Sequence, residues 1–261
     1  MRRVVVAGYG VIGSQVAGEL AKAGVPGAEL VGIVDSRVLT DPPAPQCTLS
    51  EALHIADVVV ECAGQPAVHE MIDPVLGGGA DLVVTSVGAL LDERLGSRLG
   101  SLGPGRLLGT HGAVGGLDLL ASVARAGGLD VARLRTTKKS ASLVREWMTR
   151  ERTAEILAAR DPITVFSGSA DEAARLFPDS LNVVAALATA VGSTQLVEVE
   201  LVGDPTAPMT THEITAEGDL GDYCFTIRNT PSNQNPRTSA VTAWSVLHTV
   251  ASLTDRAPLI A

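Results

Sequence analysis

Aromatic side chains are scarce in this chain: two tryptophans, two tyrosines and three phenylalanines among 261 residues. Base-stacking platforms need more than that, and a formal net charge of -9 withholds the basic surface that nucleic acid and anionic membranes require. Neither is expected as a partner. Three cysteines, Cys47, Cys62 and Cys224, cannot all pair and have neither C-x-x-C nor Cys/His ligand spacing, so reduced thiols and no metal site are expected. Apolar runs stay well short of the roughly 18 residues of a membrane span. Met1-Arg2-Arg3 leads into a short strand without an apolar leader, so the expected address is the cytoplasm. Also missing are G-x-S-x-G, H-E-x-x-H and the P-loop, which leaves acyl transfer, zinc proteolysis and phosphoryl transfer without a motif.

What is there is an apolar frame, 46% hydrophobic against 19% charged, long enough for one large core or two smaller ones. Residues 4–7, Val-Val-Val-Ala, read as a strand buried on both faces. Gly8-x-Gly10-x-x-Gly13 follows at once and opens a helical pattern over 14–23. Strand, glycine turn and helix stand in the order that a dinucleotide site needs. Gly8 permits the tight turn, Gly10 lets backbone approach a pyrophosphate, and Gly13 lets the helix lie against the strand. The helix's unpaired N–H groups, around Val11 and Ile12, then face the phosphates. A second strand over 29–34 ends in Asp35, 22 residues past Gly13, the spacing of a carboxylate that binds the adenosine ribose. Arg37 is open to three readings: a stack on the adenine, a partner for a 2′-phosphate, or a solvated loop arginine. The cofactor is accordingly NAD or NADP.

Strands and helices keep alternating. A proline-rich loop over 36–46 leads to a helix over 50–55 and a strand over 57–62. That strand turns through Cys62, Ala63 and Gly64 into a helix over 67–76, followed by strands over 81–85, ending at Ser86, and 106–110, ending at His111. The alternation predicts right-handed crossovers and a parallel doubly wound sheet, an α/β Rossmann domain over 1–111. Ligand is expected beyond the carboxyl ends of the strands, where Cys62, Ala63 and Ser86 collect. Past Gly116 the pattern changes. A helix over 117–126, a half-exposed strand over 131–138 and a short strand over 163–166 precede a capping box from Ser169 to Glu172, whose helix runs to Phe177 and is closed by Pro178. A helix over 181–191 and strands over 195–202, 212–217 and 223–228 complete a second, α+β domain over 112–236. A last helix from Arg237 carries Val241, Trp244, Val246, Leu247 and Val250 on one face, and 237–261 is expected to pack back on the first domain.

Hydride transfer is the chemistry such a frame invites, and it needs an acid or base near the nicotinamide. Of five histidines, His54, His69 and His248 fall on predicted helices and read as ordinary surface or core residues. His111, at a strand end, and His212, at the mouth of a strand, stand as equal candidates.

Four segments carry more. Gly112-Ala113-Val114-Gly115-Gly116-Leu117-Asp118, Phe177-Pro178-x-x-x-Asn182-Val183, Thr211-His212-Glu213-Ile214 with Gly218 and Gly221, and Asn229-x-Pro231-Ser232-x-x-Asn235-Pro236-x-Thr238-Ser239 resemble, in that order, the second-domain motifs of the L-aspartate dehydrogenases. With the glycine fingerprint ahead of them, the likeness runs over nearly the whole chain. The resemblance implies a Rossmann domain joined to an α+β catalytic and dimerisation domain, hence a homodimer. It implies oxidation of L-aspartate to iminoaspartate and then oxaloacetate plus ammonia, or the reverse, with NAD or NADP, feeding NAD biosynthesis. It makes His212 the catalytic residue and places Ala113 and Asn182 in contact with the nicotinamide cofactor.

For a dicarboxylate substrate, Lys138, Lys139 and Arg237 are the candidate cations. Asn235, Thr238 and Ser239, at the last helix's N-terminus, are candidate hydrogen-bond donors. Each also has a plain reading as a strand end, turn or cap. Two departures bear on substrate fit: Thr210 stands where the family often has asparagine, and Ser140 follows Lys138-Lys139 where the family has proline. The rival expectations are a homoserine dehydrogenase-like or dihydrodipicolinate reductase-like oxidoreductase with the same cofactor, and a non-catalytic NAD-binding regulator.

Overall fold

Val4, Val5 and Val6 are fully buried in β1 (Arg2–Ala7), second in a five-stranded sheet of order β2-β1-β3-β4-β5. This computed structural model describes residues 1–177, 182–235 and 238–254. The partners of β1 are β2 (Ala28–Val34) and β3 (Val58–Glu61), followed by β4 (Asp81–Val84) and β5 (Leu107–Gly109), and every pairing is parallel. All four residues of β3 and of β4 are buried, which is why these strands read as continuous apolar runs rather than as alternating ones. Helices α1 (Val11–Ala21), α2 (Leu49–Ile55), α3 (Gln65–Gly77) and the single turn α4 (Glu93–Gly96) make the connections. Strand order reverses around β1, so the crevice of a Rossmann sheet opens beyond the carboxyl ends of β1, β2 and β3.

The chain forms two compact units, Met1–Gly112 with the segment from Thr242 onward, and Ala113–Val241. The second unit contains α5 (Leu117–Arg125), β6 (Val131–Lys138), α6 (Arg150–Ala158), β7 (Ile163–Ser169), α7 (Ala170–Leu176), α8 (Asn182–Val191), β8 (Val197–Gly203), β9 (Thr210–Gly218) and β10 (Gly221–Asn229). Its sheet runs β10-β9-β6-β8-β7, with β6 and β8 parallel and the other pairs antiparallel. On β6 the alternation is resolved as expected: Ala132, Leu134 and Thr136 are buried, whereas Arg133 and Arg135 are exposed. Arg133 pairs with Glu198 and Glu217, and Arg135 with Glu200. Next to β6 in the sheet, β8 packs on α8, whose residues 184–188 are all buried. Helix α6 was not anticipated. Thr149 caps it by accepting the Arg152 N–H, but Ile156 is its one buried residue, so it leaves almost no periodic apolar trace.

The last helix, α9 (Thr242–Thr254), lies in the first unit, where Ala243, Val246, Leu247 and Val250 join Val16, Ala17 and Leu20 in one core cluster. Two expectations about it are corrected. It starts at Thr242 rather than 237, because the residues before it bond backward: Ala240 N–H donates to Thr230 O at 2.9 Å, and Pro231 and Ser239 form an isolated bridge. Val241 and Trp244, placed on its buried face, are 37% and 53% exposed. Pro178, Leu181, Pro236 and Arg237 lie outside the described residues. No helix among the described residues is long and apolar enough to cross a membrane.

Candidate functional site

The glycine turn between β1 and α1 is shaped by contact as much as by conformation. Gly8 has φ +95°, and a Cβ there would lie 2.6 Å from the Cys62 carbonyl carbon; at Gly13 a Cβ would lie 1.8 Å from Gly8 O. At Gly10 the same construction meets nothing within 4 Å. Two glycines thus close the turn, and the third faces open space. Gly10 caps α1 without a side-chain bond, and the first turn carries no acidic residue, so the free N–H groups and positive dipole end are available to an anion. The turn fits a pyrophosphate.

Gly8, Gly10, Asp35, Cys62 and Ala63 line one cleft of ≈ 830 Å³. Gly13 is packed behind the turn, and Val11 and Ile12 are half-buried in the first turn of α1. Asp35 accepts the Tyr9 N–H at 2.7 Å and the Arg37 N–H at 2.9 Å. It also pairs with the Arg37 guanidinium, Nε to Oδ1 at 2.9 Å, and that side-chain bond, above all, holds its carboxyl well below the usual carboxylate range. Burial, reinforced by the charge of Glu61, pushes the Cys62 thiol up to about 12, so it stays protonated and is no nucleophile.

Ser86 is brought to this region through a residue that reads in the sequence as a plain strand position. Glu61, fully buried at the end of β3, accepts five uncharged donors. Ala63 N–H, Gly64 N–H and Ser86 O–H reach Oε1 at 2.7, 2.7 and 2.9 Å, and Thr85 and Ser86 N–H reach Oε2 at 3.2 and 2.9 Å. One carboxylate thereby fixes the turn after β3 to the turn after β4. His111 lies edge-on to His248 of α9, ring centroids 6.3 Å apart.

In the second unit His212 is 2% exposed and stands opposite Thr136 across the β6–β9 pairing. Thr136 Oγ1 and His212 Nδ1 form a hydrogen bond of 2.9 Å. Burial, and secondarily the charge of Lys138, lower the imidazole to about 3. Burial, then the charge of Arg145, lower Lys138 in turn. The adjoining basic residue behaves differently: Lys139 is exposed. Ser140 is 5% exposed, and its hydroxyl has no hydrogen-bond partner among the described residues.

The segment that carries Ala113 is fastened from β10. Asn229 Nδ2 donates to Ala113 O at 2.7 Å, and Gly116, φ +78°, leaves room for the Phe225 ring, which a Cβ would meet at 2.5 Å. Asn182 is the exposed first residue of α8. Asn235, Thr238 and Ser239 do not stand at a helix N-terminus as expected. They belong to the bonded turn ahead of α9, where Thr238 N–H donates to Asn235 O at 2.9 Å and Ser232 N–H to Thr238 O at 2.7 Å. Sequence reasoning therefore missed Glu61, Thr136, Arg145 and the fastening role of Asn229. Only Asn229 had a signal, as the first residue of a recognised motif.

Comparison with known proteins gives two family matches: "Aspartate dehydrogenase, C-terminal" over residues 118–253 and "Homoserine dehydrogenase, NAD binding domain" over residues 8–103. The chain is 33% identical to an L-aspartate dehydrogenase of Methanosarcina barkeri over 97% of each protein. It is 34% identical to L-aspartate dehydrogenase 3 of Bordetella bronchiseptica, covering 94% of this chain and 92% of that one. The crystal structure of aspartate dehydrogenase from Thermotoga maritima superposes with a TM-score of 0.77 at 26% identity, each chain fully covered.

Proposed function

Because the chain belongs to the L-aspartate dehydrogenase family, we propose that it catalyses the reversible oxidation of L-aspartate. The Cα–N bond becomes C=N with loss of a hydride and a proton, and the imine takes up water to give oxaloacetate and ammonia. NAD or NADP, when bound at the glycine turn, supplies the hydride acceptor. Gly8, Gly10 and Gly13 with Val11 and Ile12 would hold its pyrophosphate and Asp35 its ribose, while Cys62, Ala63 and Ser86 would line the nicotinamide end; the family resemblance assigns Ala113 and Asn182 to the cofactor as well.

The observation that carries the reading is the buried His212 with Nδ1 committed to Thr136. With Nδ1–H donating to the threonine oxygen, Nε2 keeps its lone pair for the substrate. It takes the proton that the ammonium must lose before hydride can leave Cα, and it activates the water that attacks the imine. An imidazole lowered to about 3 is a weak base by itself. A substrate carboxylate paired with Lys138 cancels the positive charge that is one cause of that lowering, and so raises the basicity of His212 as the substrate enters. Ser140 is a further donor for a carboxylate, with Asn235, Thr238 and Ser239 in the turn ahead of α9. Lys139 is the weaker candidate, since its exposure lets water screen the charge.

The protein acts in the cytoplasm as a homodimer built through the second unit, and its iminoaspartate feeds NAD synthesis. Neither rival is favoured, because the family match over residues 118–253 and the relatives at 33% and 34% identity are aspartate dehydrogenases. Purified protein given NADH or NADPH, ammonia and oxaloacetate should oxidise the nucleotide, with other oxo acids much slower. Faster turnover of another oxo acid would reassign the substrate. Tight NADH binding with no oxaloacetate-dependent oxidation would make it a regulator.

A further inference from the structure

Every acceptor position of Asp35 is taken. Oδ1 receives the Arg37 backbone N–H and Nε–H, both at 2.9 Å; Oδ2 receives the Tyr9 N–H at 2.7 Å and the Arg37 Nη2–H at 3.0 Å. A carboxylate offers about four lone-pair positions, so a ribose diol finds none open while the guanidinium stays. The two bonds from backbone are fixed, but the two from the guanidinium are not. Arg37's side chain is 65% exposed against 7% for Asp35. Its backbone is pinned independently: Gln46 Nε2 donates to Asp35 O at 3.0 Å and to Arg37 O at 2.6 Å. The guanidinium, whose Nη2 also donates to Tyr9 O at 3.1 Å, can therefore swing away without moving the loop by leaving that carbonyl to solvent, and it vacates as many acceptor positions on Asp35 as a ribose 2′,3′-diol has hydroxyls.

Building on the dinucleotide reading above, we propose that Arg37 is the cofactor-specificity residue of this chain, a removable partner of Asp35 that the diol of NAD displaces and the 2′-phosphate of NADP recruits. Its planar fork matches a phosphate as well as it matches the carboxylate. Among the described residues lining the cleft it is the one cation, beside the acids Asp35, Glu51 and Glu70. The 2′-phosphate thus depends on this single side chain, whereas NAD must compete with it. Breaking an ion pair whose basic member is largely in solvent costs little, so both nucleotides bind and Arg37 sets their ratio.

The test is titration of NADH and NADPH, followed by nucleotide fluorescence, into the wild type, Arg37→Ala and Arg37→Lys. Arg37→Ala should weaken NADPH by about tenfold or more, the loss of a charge-assisted hydrogen-bond pair. It should tighten NADH by about two- to fivefold, since nothing remains to be displaced. Arg37→Lys, which keeps the charge but loses the fork, should fall between. An affinity ratio that Arg37→Ala leaves unmoved, or NADH weakened as much as NADPH, overturns the proposal while leaving the dinucleotide site in place. Wild-type protein that binds neither nucleotide overturns both.

Discussion

The two units treat charge in opposite ways. In the first, the acids that shape the cleft are satisfied by the protein itself: Glu61 receives five uncharged donors and Asp35 four bonds from two residues. In the second, the protonated forms of two bases are disfavoured, half-buried Lys138 by desolvation and Arg145, buried His212 by desolvation and Lys138. The first arrangement holds the backbone of a binding surface in place before any ligand arrives. The second leaves a deficit that, in the proposed reaction, an entering dicarboxylate would relieve. A site whose polar groups are saturated is organised for recognition, and one whose proton affinities are displaced is organised for chemistry.

That contrast breaks most visibly at His212. His212→Ala should lower kcat by roughly 10²- to 10⁴-fold and leave the NADH dissociation constant within about twofold, because the lost group belongs to the chemical region only. A variant that keeps most of its kcat would remove the imidazole from the mechanism. Glu61→Gln is the converse and smaller test. Whichever way it is turned, an amide presents N–H to the donors at Oε1 or to those at Oε2, so at least one buried donor is left unmet, at about 1–3 kcal/mol. NADH affinity should fall by about tenfold, with kcat at saturating nucleotide nearly kept. If kcat collapsed and NADH binding did not, the division between the two regions would be wrong.

How much of this the sequence disclosed follows from the range of the interactions involved. The turn at Gly8, Gly10 and Gly13 was legible because its glycine spacing lies within ten residues, although the Cys62 carbonyl that crowds Gly8 does not, and the parallel sheet because buried strands read as valine runs. Helix α6 was not, since a helix that buries Ile156 alone leaves no stripe. The start of α9 was misplaced because Ala240 and Ser239 take their partners from Thr230 and Pro231, a return of the chain that periodicity does not encode. His212 came from its motif, but its partner Thr136 lies 76 residues away and is set by the register of β6 on β9. Glu61 was hidden for a similar reason: a carboxylate ending a valine run looks like a strand terminus until donors 24 and 25 residues later are seen to converge on it. Contacts between neighbours in sequence are readable, and contacts created by strand register are not.

The smallest effect tests the comparison through stability. His212 has a value of about 3 in the folded protein and about 6.5 in the unfolded chain. Between those two values the unfolded state binds a proton that the folded state refuses, so stability falls as pH drops through this window, by at most roughly 1 kcal/mol per pH unit. Above the upper value His212 contributes no slope. Lys138, also lowered, acts with the same sign but in the alkaline range below its ordinary value. The lowered carboxylates of the first unit act elsewhere again: Asp57, held down to about 2 chiefly by the Arg3 side chain, and Asp35 lose their contributions only as pH falls below the normal carboxylate range. Urea unfolding of the wild type and His212→Gln at pH values from about 7 to 4 should therefore give a clearly shallower decline for the variant. Parallel declines would mean that His212 is not held neutral by its surroundings, and the second unit would then lack the electrostatic deficit that distinguishes it from the first.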